Sequence, residues 1–224
     1  MDEPLHIIYQ DEWLVAVDKP AGHLVHPADN PQDGDLVTMK ILRDQIGTHV
    51  YNIHRIDRPT TGALLFGINR NAARALHRAL ERHEVKKAYR AIVFGEPPAE
   101  TWECHEPLQK SDDAPLRDAH TSFHVLQRHG QLTLLEAIPH TGRTHQIRKH
   151  LLHAGIPIVG DYRYAGVEIS DQLGKQLGTG TRMLLQSHQI AFQHPVTEAQ
   201  TTIIAPNDPM FVRCFDSLAD AHPA

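Results

Sequence analysis

Apolar and polar positions change period several times along the chain. HIIYQ and WLVAVD, split by Asp11-Glu12, predict a β-hairpin, and KPAGHLVHP after them reads as a loop. From Leu36 to Ile46 the apolar residues Leu36, Met39, Ile41, Leu42 and Ile46 have helical spacing that stops at Gly47. ALLFGIN is continuously apolar and predicts a strand buried on both faces. The stretch 69–84 predicts a helix with Ala72, Ala73, Leu76, Ala79 and Leu80 on one side, and KAYRAIVFG alternates like a strand. Residues 96–118 are polar and proline-bearing, which predicts a loop or insertion. Paired strands are expected at 123–127 and 132–138 around His129-Gly130, and a helix at about 144–153. Two or three strands are expected within 183–204, and a closing helix over 208–219. There is no internal repeat. Strands with helices between hairpins predict one α+β domain, spanning 1–224, on a mixed, mostly antiparallel sheet with flanking helices.

Composition narrows the class. The 224 residues, 41% hydrophobic and 22% charged, suit one globular domain with a sizeable core. The N-terminal MDEPLHII is acidic and is no signal peptide. No apolar run approaches the roughly 18 residues of a membrane span. Cys104 and Cys214 make no disulfide framework, so a cytoplasmic location is expected. A net charge of −5 argues against nonspecific coating of nucleic acid. Locally the picture differs. HTGRTHQIRKHLLH carries Arg143, Arg148, Lys149 and four histidines with no acid, and Lys86, Lys87 and Arg90 form a second basic cluster. A basic cleft on an acidic body would suit a selective binder of an anionic ligand.

Four features offer chemistry. In NIHRIDRPTTGALLFGIN, Asp57 lies between Arg55 and Arg58 and ahead of a Pro-Thr-Thr-Gly turn. Two guanidinium groups would keep it ionised, and an ionised carboxylate can be nucleophile, base or cation stabiliser; a salt-bridged turn aspartate is the alternative. On the helix of TGRTHQIRKHLLHAG, steps of about 100° put Ile147, Leu151, Leu152, Ala154 and Gly155 on one arc with Arg148 in its middle. Arg148 must then find a carboxylate or phosphate, or else snorkel to water. Tyr89 shares a strand face with Lys87 and Ala91, where it could stack on a base or be a half-buried strand residue. His150 and His153 could share a metal, but without HExxH or an adjacent acid they read as solvated. No GxGxxG or Walker sequence occurs, so no cofactor is expected.

Taken together, IIYQDEWLVAVDKPAGHLVHP, HRIDRPTTGALLFG, KKAYRAIVFG and PHTGRTHQIRKHLLHAGIPIVGD resemble, in order, four motifs of the RluA-type pseudouridine synthases. The likeness covers about residues 6–205. Ile56, Thr61 and Ile147 depart mildly from its pattern, and none of them is charged. The resemblance implies a central RNA-binding cleft and isomerisation of a uridine in RNA: its C1′–N1 bond breaks, the base turns, and C1′–C5 forms without cofactor or metal. It implies that Asp57 is the catalytic carboxylate, that Tyr89 packs on the base, that Ile147 lies beside the target ring, that Arg148 pairs with Asp57, and that Arg55 takes the place of the flipped base. LRDQIGTHVYNIHRIDRPTTG resembles the TruC branch, which makes the pseudouridine at tRNA uridine-65. With the hairpin starting near residue 6, no separate N-terminal RNA-binding domain is expected. Nor is a membrane or a required protein partner. A rRNA or dual-specificity member of the family is the nearest alternative. A non-catalytic RNA-binding module and a metal-dependent hydrolase are alternatives from other classes.

Overall fold

The computed structural model describes residues 3–27, 32–111 and 113–215. In chain order they form β1 (His6–Gln10), β2 (Leu14–Lys19), α1 (Thr38–Ile46), β3 (Tyr51–Asn52), β4 (Thr61–Gly67), α2 (Arg70–Glu81), β5 (Lys86–Phe94), β6 (Thr101–Cys104), β7 (Thr121–His129), β8 (Leu132–Pro139), α3 (Gln146–His153), α4 (Val167–Leu177), β9 (Leu185–Gln193), β10 (Gln200–Ile204) and α5 (Pro209–Cys214). The fold is α+β on a mixed sheet of mostly antiparallel strands, with an isolated parallel bridge from Leu24 to Val37. The chain divides into two compact units, Met1–Lys86 with Ser187–Pro206, and Lys87–Gln186 with the segment beginning at Asn207.

In the first unit, β1 pairs with β2 and β2 with β4, while β3 adds to β4 and β10 to β9. All seven residues of β4 are buried, as the unbroken apolar run predicts. α2 starts where the Asn69 side chain accepts from the N–H groups of Asn71 and Ala72, at 2.8 and 3.3 Å, a cap worth about 1 kcal/mol. It buries Ala72, Ala73 and Leu76 against Leu14, Ala16, Leu65, Ile190 and Phe192. Small residues bring it close. A Cβ on Gly67 would lie 2.7 Å from that of Ala73.

In the second unit the strand order is β5-β8-β7-β6. The hairpin between β7 and β8 turns at Gly130, where the sequence places it. Ile92, Leu132, Leu134, Val159, Leu173, Leu184, Phe211 and Phe215 form a core. Two elements differ from expectation. β6 lies inside the segment expected to be a loop, because its polar residues sit on an outer strand whose Trp102 stacks on Phe123. α4 was hidden by its own glycines: Gly174 packs where a Cβ would meet the Gly180 carbonyl oxygen at 2.1 Å, and Gly166 and Gly178 flank the helix. α5 (Pro209–Cys214) is capped by Asp208, where the expected closing helix starts, and ends at Cys214; the part of that expectation from 216 on lies outside the described residues. No helix among the described residues is long and apolar enough to cross a membrane.

Candidate active site

The Asp57 turn is built from beneath by a buried lysine. Lys19 ends β2 opposite Gly62 and is fully buried. Its Nζ donates to the carbonyls of Pro20, His23 and Arg58, at 2.7, 2.9 and 3.1 Å. Three carbonyl acceptors match the three donors of an ammonium, which is what lets the charge stay inside. The Arg58 carbonyl also takes the Gly22 N–H, at 2.9 Å. Arg58 Nε donates back to the Gly22 carbonyl at 2.8 Å, and its Nη1 reaches Asp35 at 3.2 Å. The KPAG loop and the residue after Asp57 are thus stitched together from both sides. Above them the Asp57 carbonyl accepts from Thr60 N–H at 3.0 Å, and the buried Thr60 and Thr61 lead into β4. A rigid strand mounts a half-exposed carboxylate.

This corrects one expectation. Asp57 is not caged by two arginines, because Arg58 directs its guanidinium to Gly22 and Asp35. Arg58 lies in the turn that the Thr60 N–H closes on the Asp57 carbonyl, and the proline after it steers its backbone away from the helical region. Arg55 is exposed and makes no ion pair or hydrogen bond among the described residues.

The second unit holds the other expected residues. Tyr89 sits on β5 opposite Ala137 and is buried. Lys87, two residues before it on the same face, is half-buried, and loss of solvent lowers its ammonium pKa. The entry to α3 is tied by Gln146. Its Oε1 accepts from Thr141 Oγ1 at 2.6 Å and Arg143 N–H at 3.0 Å, while Nε2 donates to His120 O and Thr121 Oγ1, both at 2.9 Å. Ile147 and Arg148 follow, each 6% exposed.

Arg148 has the anion that its place on the apolar face demands. Its Nε and Nη2 grip Asp161 Oδ2 and Oδ1 at 2.7 and 2.8 Å, a bidentate pair. Burial rules out snorkelling. The guanidinium also lies over the Tyr164 ring, 4.9 Å from its centroid. Tyr164 is held in turn by its N–H on Asp161 Oδ1 at 3.3 Å and its hydroxyl on His145 Nδ1 at 2.9 Å. His145 adopts a left-handed backbone, φ 55°, that turns its ring toward that hydroxyl. Asp161 itself is fixed by Gly160, φ 74°, where a Cβ would sit 2.0 Å from the Arg182 carbonyl oxygen. Asp161, Tyr164 and Lys19 received no role from the sequence.

His150 also departs from expectation. It is not solvated but fully buried, with Nδ1 on Thr121 Oγ1 and Nε2 on the Glu106 carbonyl, both at 3.0 Å. Burial pushes its pKa down. His153 is exposed, 3.9 Å from Glu106.

The chemistry offered is that of a mounted carboxylate in one unit, and of a tyrosine and a locked arginine in the other. Comparison with known proteins gives these parts their class. Residues 13–153 match the family described as RNA pseudouridylate synthase. The chain belongs to that family, whose reaction is an isomerisation of uridine within RNA. It is 38% identical to tRNA pseudouridine synthase C of Pasteurella multocida (strain Pm70) over 90% of each chain. It is 35% identical to the protein of that name from Haemophilus ducreyi (strain 35000HP / ATCC 700724) over 95% of each. The fold matches the solved structure of human RNA pseudouridylate synthase domain containing 4 with a TM-score of 0.76, at 24% identity, over 98% of this chain and 95% of that one.

Proposed function

We propose that this enzyme converts one uridine of a tRNA to pseudouridine, in the cytoplasm, and that the target is the uridine-65 position served by the TruC branch. The observation that carries the tRNA assignment is the identity to relatives named tRNA pseudouridine synthase C along nearly the whole length of both chains. In the reaction the C1′–N1 bond breaks and a C1′–C5 bond forms. C5 gives up a proton and N1 gains one, so no redox partner is required. The two bonds cannot exchange inside a base stack, so the uridine must leave it at a cost of a few kcal/mol.

Asp57 is the catalytic carboxylate in this reading. Its half-exposed position on a turn tied down by Lys19 supports that role, since a reacting group must meet substrate without moving its mount. Arg55, exposed beside it, enters the space left by the flipped base. Tyr89 packs against the extruded uracil and Ile147 lies beside the ring. Arg148 supplies the cation in this reading: a guanidinium offers five N–H donors, more than its bidentate pair with Asp161 uses. The experiment is a map of pseudouridines in total tRNA and rRNA from cells with and without this protein. A single tRNA position that disappears supports the proposal. Loss confined to rRNA overturns the tRNA assignment, and no loss overturns the activity.

A further inference from the structure

Histidines lie one residue beyond one end of each of three strands of the second unit, and the pairing register brings them side by side. In β6–β7, Cys104 pairs with Thr121, so the next residues out are His105 and His120. In β7–β8, Thr121 pairs with Pro139, which brings His120 beside His140, whose N–H donates to the His120 carbonyl at 2.9 Å. The rings stack at 4.1 Å from His105 to His120 and again at 4.1 Å from His120 to His140. Glu103 reaches across the edge of this row. Its Oε2 lies 3.1 Å from His105 Nε2 and 3.4 Å from His120 Nε2.

We propose that Glu103, His105 and His120 bind one divalent ion of the zinc class, independently of the pseudouridylation chemistry. One donor atom from each residue lies within 4.8 Å of the others. Ligands at 2.0–2.1 Å around a tetrahedral ion are about 3.4 Å apart, so the two carboxylate–imidazole distances already match coordination. Two imidazoles, one carboxylate and a water complete four positions, a donor set that suits zinc. Stacked rings present their lone pairs side by side, so one ring must turn to coordinate. His105 is the one able to, with 64% of its side chain exposed. Behind the ligands, His140 Nε2 bonds to Ser122 Oγ at 2.7 Å, and Ser122 Oγ in turn donates to Glu103 Oε1 at 3.4 Å. These contacts orient the carboxylate as outer partners do at metal sites. A bound ion would join the two ends of the segment 105–120 and anchor β6 to β7.

The test is calorimetry of the metal-stripped protein with zinc chloride, with the visible absorption of cobalt(II) as a second readout of low-coordinate geometry. The expected result is one ion per chain, with binding weakened at least about tenfold by His105→Ala and by Glu103→Gln. Both are surface changes whose folding is checked by circular dichroism. His153→Ala, which removes a histidine outside the cluster, should leave binding unchanged. Absence of stoichiometric binding, or equal binding by the three variants, overturns the proposal and leaves the cluster a proton-sharing histidine–glutamate network. Neither outcome bears on pseudouridine formation.

Discussion

Arg148 and Asp161 meet edge to edge, Nε to Oδ2 at 2.7 Å and Nη2 to Oδ1 at 2.8 Å, with side chains only 6% and 1% exposed. A buried pair of this kind costs little when both members leave together and much when one stays behind. Asp161→Ala should therefore lower unfolding free energy by about 3–5 kcal/mol, measured by urea denaturation. Arg148→Met should destabilise in the same way, because it strands the Asp161 carboxylate. The double change Arg148→Met with Asp161→Leu should be more stable than either single variant. Additive losses would show that the two residues are not coupled.

Arg148→Lys keeps the charge but removes the planar fork. Pseudouridine formation should fall clearly below wild type, since an ammonium cannot reproduce the bidentate grip on Asp161 that fixes this side chain. Wild-type turnover by this variant would count against any role for guanidinium geometry.

Asp57→Asn should abolish pseudouridine formation while leaving RNA affinity within about tenfold, roughly 1.4 kcal/mol. The carboxylate does chemistry in the proposed reaction, whereas phosphate contacts supply most affinity. Tritium release from C5-labelled RNA, beside filter binding, separates the two. Substantial turnover would remove Asp57 from its assigned role.

Stability should fall on mild acidification through His150. Its folded pKa is pushed below the ordinary 6.5 by burial, so the unfolded chain takes up the proton first. The stability tied to the neutral ring is complete above that ordinary value and declines as pH drops below it. His150→Gln should shrink the loss of unfolding free energy between about pH 7.5 and about pH 5.5. Equal losses in the two proteins would place the acid sensitivity elsewhere.

A strong chelator should leave activity intact, in monovalent salt that keeps the RNA folded. The residues assigned to the reaction include no metal-ligand set, and the Glu103–His105–His120 cluster is not among them. Activity lost and restored only by zinc would make the ion part of catalysis.

The sequence carried the fold far because its strong signals are local. The apolar run of β4, the Asn69 cap of α2 and the Gly130 turn each reveal themselves within a few residues. Arg148 was legible for the same reason: a helix period places a cation among apolar neighbours, and burial then demands an anion. Which anion was not legible from that period, since Asp161 is 13 residues away on a glycine-set turn. Lys19 gave no signal either, because a lysine before proline looks like solvent-exposed loop until three carbonyls are seen around it. Arg58 was legible in part: adjacency to Asp57 suggested a pair, but Pro59 after it argued for a side chain directed elsewhere, and it goes to Gly22 and Asp35. The row of histidines needed the register of three strands, which no single stretch contains.

Lys19 also has a use outside catalysis. An ammonium with all its protons donated and no exposed surface cannot react with an amine-selective acylating reagent until the loop above it lifts. The rate at which that one lysine becomes labelled, read by mass spectrometry against the exposed lysines of the same chain, therefore times how often the mount beneath Asp57 opens.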